Sequence, residues 1–251
     1  MARVLMPLPT QDFDPTESGV PWFVLKASGH QVVFATPDAQ LPRADPRMVT
    51  GEGLGPLKRF LAADRHGRLA YLAMQKSPAF RAPLAYSALR AEDFDAMVLP
   101  GGHAPGMHEY LESHVLQGLV TAMFAHDKPV GAICHGVLVV ARSLGADGNS
   151  VLRGRQTTAL LKSQELLAWN LTRLWLHDYY RTYPITVQDE VCEALASPAD
   201  FVAGPLPLRR DAPGRLRPGY VHRDGNYLSA RWPGDAHRFA HDFAQMLAGR
   251  H

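Results

Sequence analysis

The run Lys128-Pro129-Val130-Gly131-Ala132-Ile133-Cys134-His135-Gly136 constrains the fold of this chain more than any other segment. Val130 to Ile133 reads as a short buried strand, and Gly136 to Ser143 carries the apolar pattern of a helix. A strand that turns directly into a helix belongs to a parallel αβ arrangement. The residue at such a turn has its side chain pushed out of the core, and here it is Cys134. The free N–H groups opening the helix favour thiolate over thiol. His135 supplies a proton acceptor or a cation beside it, and Gly136 lets the chain pass close to a bound molecule. The same residues also fit a buried, inert cysteine.

The pattern recurs elsewhere. Asp95 to Leu99 reads as a strand ending in Pro100-Gly101-Gly102-His103. In a parallel sheet, ligands gather beyond the carboxyl ends of the strands, where both motifs fall. The backbone of Gly101 and Gly102 offers donors there for an oxyanion. The chain opens with a strand at Arg3–Leu8 and a helix capped by Asp14, with Pro15 and Glu17 in its first turn. That helix runs to Gly29, and a strand follows at Gln31–Ala35. A further helix is expected over about Ser113–His126. Tyr220–His222 and Tyr227–Ala230 flank a hairpin turn at Asp224-Gly225-Asn226, before a last helix over Ala236–Leu247. Residues 40–90 and 160–215 are less regular. A helix near Leu57–Ala63 and an aromatic-rich helix over Glu165–Tyr180 are expected within them.

With 251 residues and 46% hydrophobic composition, the chain can bury a core without covalent staples. Its net charge of +2 comes from scattered basic residues, which argues against nucleic acid or a membrane surface as partner. Cys134 and Cys192 are too few for a disulfide framework or a thiolate zinc site, and the expected compartment is the cytoplasm. Met1–Pro9 does not read as a leader, and no run reaches the length of a spanning helix. His103, His108 and His114 with Glu109 and Glu112 fit no zinc spacing and read as solvated, so no metal is expected, nor any other cofactor. Asn170-Leu171-Thr172 matches a glycosylation pattern that a cytosolic helix makes irrelevant. Trp175, His177, Tyr179, Tyr180 and Tyr183 read as a packed helix face, or else line a pocket or subunit contact.

The segments Asp93–His103 and Lys128–Gly136 resemble the ThiJ/PfpI superfamily of class I glutamine-amidotransferase-like proteins. The resemblance extends to Pro15–Val32 and to Asp224–Arg231. It implies an α/β fold, a flavodoxin-like parallel sheet sandwiched by helices. One domain would span residues 1–251, with a small inserted cap from the insertions around 40–90 and 160–215. It also implies a homodimer nearest the chaperone and glyoxalase III branch. In that branch Glu17 is the acid that meets Cys134, whereas its position alone also suits a helix dipole. The family's third member, an acid that orients the histidine, has Lys162 near its place. Glu165 is the nearest carboxylate, or else a solvated helix-start residue. Trp232–His237 lacks the late His-x-Glu pair of a glutamine amidotransferase proper. Three functions stay open: a cysteine enzyme acting on small reactive carbonyls, a cysteine hydrolase of peptides or amides, and a non-enzymatic chaperone or oxidation sensor.

Overall fold

The computed structural model describes residues 1–249. Its centre is a seven-stranded sheet: β1 (Arg3–Pro7), β2 (Gln31–Thr36), β3 (Leu84–Ala85), β4 (Ala96–Leu99), β5 (Val130–Ile133), β6 (Val221–Asp224) and β7 (Tyr227–Ala230). The spatial order is β3-β2-β1-β4-β5-β7-β6. Every pairing is parallel except the closing hairpin of β6 on β7. β1, β4, β5 and β7 are almost wholly buried, as expected for strands covered on both faces.

Helices α1 (Pro15–Ala27) and α7 (Ala236–Ala248) pack on the sheet and against each other, and α2 (Arg65–Gln75) packs on α1. Helices α3 (His114–Ala125), α4 (Gly136–Ala141) and α6 (Val187–Ala194) form a second group. Asp14 caps α1 by accepting from the N–H groups of Thr16 and Glu17, with Pro15 in the first helical position. The flavodoxin-like sandwich expected from the sequence is therefore present. Because β2 and β4 flank β1 on opposite sides, the chain changes direction there and opens a crevice at the carboxyl ends.

The irregular segments depart from expectation in detail. The helix expected near Leu57–Ala63 is a 3-10 turn at Gly55–Leu57 followed by one turn at Lys58–Leu61. Gly51 and Gly53 before it and Gly55 at its start all take positive φ and leave little to nucleate a longer helix. The aromatic-rich helix α5 spans Lys162–Leu176, and His177 ends it with φ of 52°. Tyr179, Tyr180 and Tyr183 thus lie beyond the helix and do not share its face. Met48, Leu54, Ala62, Leu176 and Tyr180 form a small second core that joins the two irregular segments. No helix among the described residues is long and apolar enough to cross a membrane.

Candidate active site

Three elements meet at the crevice. Cys134 stands at the turn from β5 to α4 with φ of +57°, a left-handed conformation that is strained for a residue with a Cβ. Its N–H donates to Ala230 on β7, which anchors the turn. Gly101 and Gly102 follow β4, and Glu17 projects from the first turn of α1. The Gly101 N–H donates to Glu17 Oε2 at 3.0 Å. A Cβ at Gly101 would fall 2.6 Å from that oxygen and 2.8 Å from the His135 nitrogen, so only glycine lets the three elements close together. Gly101 was expected to offer an oxyanion donor. Its N–H is engaged by Glu17, which leaves Gly102 as the loop's glycine lining the cavity.

Glu17 is fully buried. Burial, reinforced by Asp14 nearby, pushes its carboxyl well above the usual range and so favours the protonated form. Glu17 and the Cys134 thiol influence each other's titration, and Glu17 Oε1 has no hydrogen-bond partner of its own. The sequence suggested a thiol lowered by a helix N-terminus. Instead burial pushes Cys134 up, as do the charges of Glu17 and Asp14 when ionised, while the His135 N–H pulls it down. α4 has only six residues, and this turn is almost completely closed to water. A protonated Glu17 removes its own share of the repulsion and turns from a repelling charge into a donor toward a thiolate.

His135 Nδ1 lies 3.4 Å from Cys134 Sγ, and its Nε2 lies 3.0 Å from the Thr182 hydroxyl. That hydroxyl donates its one hydrogen to the His103 carbonyl at 2.7 Å. It therefore accepts from Nε2–H, and Nδ1 is left as the unprotonated nitrogen facing the thiol. Burial and the cationic neighbourhood push His135 down to about 3, so the ring is neutral. Thr182 occupies the orienting place for which Glu165 was the candidate. The Glu165 carboxylate instead accepts from the Val187 N–H at 2.9 Å and lies 3.8 Å from Arg181. It is buried rather than solvated, joins α5 to α6, and lines the cavity beside Lys162's successors Ser163 and Gln164. Lys162 itself pairs with Asp189 at the surface.

A cavity of ≈ 660 Å³ opens over Cys134, lined by Glu17, Gly102, His103, His135, Tyr180, Arg210 and Trp232 among others. His103, expected at a solvated surface, is half-buried and stacks on Tyr180 at 4.4 Å. Burial pushes it down to about 4, and its Nε2 has no partner. His108 pairs with Glu112 on the surface. Among the described residues no three metal-ligating side chains converge. Sequence reasoning missed Thr182, Arg210 and Trp232. Trp232 follows the carboxyl end of β7, so the rule that singled out Cys134 would have found it; Thr182 and Arg210 sit in loops without local signal.

This arrangement of parallel sheet, strained cysteine turn and facing carboxyl defines a cysteine-bearing α/β protein of the glutamine-amidotransferase-like kind. A family model described as ThiJ/PfpI family-like matches residues 8–205, and the chain belongs to that family. It is 25% identical over 245 residues to a deglycase of Pyrococcus abyssi, covering 98% of this chain and 99% of the relative. It is 24% identical over 240 residues to the deglycase PfpI of Pyrococcus furiosus, covering 96% of each. Among solved structures it is similar to glyoxalase III from Candida albicans, with a TM-score of 0.68, 16% identity and coverage of 97% and 96%.

Proposed function

We propose that this chain is a cysteine-dependent enzyme of small reactive carbonyls, of glyoxalase III or deglycase type. The observation that carries the reading is the partner of His135: a neutral threonine hydroxyl, with no carboxylate to raise the basicity of the ring. Cleaving an amide needs a strong, oriented base and acid. Adding a thiol to an aldehyde needs far less, because the aldehyde is already an avid electrophile. The deglycase names among its relatives support the same choice.

In the proposed cycle Cys134 Sγ bonds to the aldehyde carbon of a 2-oxoaldehyde as the thiol proton passes to His135 Nδ1. The carbonyl electron pair moves to oxygen, which the Gly102 and His135 N–H groups hold. The imidazolium returns its proton to that oxygen, giving a hemithioacetal. One proton then moves from the first carbon to the second and one from the first oxygen to the second, with Glu17 as carrier. The result is a thioester of a 2-hydroxy acid. Water cleaves its C–S bond, releasing the acid and restoring the thiol. No oxidant or reductant is consumed. The test is to supply methylglyoxal and follow product: lactate appearing in step with aldehyde loss is expected. Aldehyde loss without lactate, or cleavage of peptide substrates instead, would overturn the reading.

A further inference from the structure

The cavity over Cys134 is larger than a three-carbon ketoaldehyde needs; its ≈ 660 Å³ falls in the range of pockets that enclose drug-sized ligands. Its wall also carries two donors with nothing to donate to. Arg210 Nη1 and Trp232 Nε1 are both buried and both without a partner. The guanidinium lies 5.3 Å from the Trp232 ring, so the two donors are neighbours. Arg210 is held in place by its other nitrogen, Nη2, which donates to the carbonyls of Phe60 and Ala62. It forms no ion pair among the described residues.

An arginine and an indole N–H have no acceptor capacity, so what joins them must present oxygen lone pairs. A permanent cation with an open, buried N–H favours an anion, and because Nη2 is already engaged, the open donors are Arg210 Nη1 and the Trp232 indole N–H, one for each oxygen of a carboxylate. Asp14, Glu17 and Glu165 line the same cavity. Of these, Asp14, pushed up only to about 6, is ionised at neutral pH, and it disfavours a dianion such as phosphate more than a single carboxylate. Leu61, Leu160 and Tyr180 lie in the same wall and suit a short apolar spacer.

We propose that Arg210 and Trp232 form a carboxylate subsite, so that the substrate is a reactive carbonyl compound carrying a carboxylate at its far end. The inference rests on the carbonyl reading of Cys134 and specifies its substrate class. A 2-oxoaldehyde of this kind would leave as a 2-hydroxy dicarboxylate, with atoms and electrons balanced as in the cycle above.

The experiment compares 4,5-dioxopentanoate with methylglyoxal in wild type, R210M and W232F, separating kcat from KM. Wild type should favour the acid by at least about tenfold in kcat/KM. R210M should reduce that preference about tenfold or more, mainly through KM, and W232F by less. Equal preference in wild type, or R210M lowering both substrates alike, would overturn the subsite. Binding of the unreactive analogue 4-oxopentanoate to C134S and to the C134S/R210M pair reads the subsite without turnover. Weaker binding by the double variant supports the subsite even if neither aldehyde is consumed, in which case only the catalytic reading fails. Equal binding, or displacement by inorganic phosphate at lower concentration than 4-oxopentanoate, overturns the subsite whatever the rates.

Discussion

At the scale of the residue, the site works by fixing where protons sit. Thr182 has one hydrogen, and the His103 carbonyl takes it, so the imidazole of His135 is left in one tautomer with Nδ1 toward the thiol. Replacing Thr182 with valine removes that instruction. T182V should lower kcat about tenfold with KM little changed, whereas T182S should restore most of the rate. A T182S rate as low as T182V would show that the methyl group and packing matter, not the hydroxyl. Gly101 makes a second residue-scale test. G101A puts a Cβ into the Glu17 carboxylate and the His135 nitrogen. It should destabilise the protein by roughly 1–3 kcal/mol, read by urea unfolding, and depress turnover further than that loss explains. Unchanged stability and turnover would mean that the crevice opens without cost.

At the scale of elements, the buried pair Arg231–Asp235 decides how the last strand meets the loop above the site. Both side chains are completely buried and bonded at 2.9 Å. Arg231 also donates to the carbonyls of Ala203 and Pro205, tying that loop to the end of β7. D235A leaves a buried cation without its partner and should cost about 3–5 kcal/mol, measured by denaturant unfolding; a loss near zero would show that water replaces the carboxylate. The alternation of strands and helices, the Asp14 cap and the closing hairpin were legible because local chemistry dictates them: buried runs, a capping carboxylate, an Asp-Gly-Asn turn. Cys134 and the glycine pair were legible for the same reason, as they sit where strands end. The roles of Thr182 and Glu165 were not. Both depend on how α5 and the loop after it, more than a hundred residues from α1, fold back over the sheet. The helix of Arg65–Gln75, capped by Asp64, was also passed over, since the Pro- and Gly-rich stretch before it masks its start.

At the scale of the whole molecule, buried acids set the response to pH. Glu165 is held up to about 7, chiefly by burial, against an ordinary value of 4.5. The folded protein therefore keeps a proton that the unfolded chain has lost. That contribution is complete below about pH 4.5 and disappears as pH rises through about 7. Asp211 is pushed up to about 7 in the same way. His103, His135 and His237 are pushed down by burial and work in the opposite sense, but only below about pH 6.5, where the unfolded histidines begin to charge. Wild type should therefore lose stability as pH rises from 6.5 to 8. E165Q has no proton to give up, so its stability relative to wild type should improve by about 2 kcal/mol between pH 5 and 8. An unchanged difference across that range would mean that Glu165 is ionised in the fold, held down by Arg181.

All of these effects converge on one thiol, and the most direct measurement is the rate of methylglyoxal consumption by wild type and C134S at equal folded concentration. A fall of roughly a hundredfold or more is expected in C134S, with unfolding by urea little changed. Retention of the wild-type rate by C134S would contradict it, placing the reaction on another group or showing that Cys134 takes no part in it.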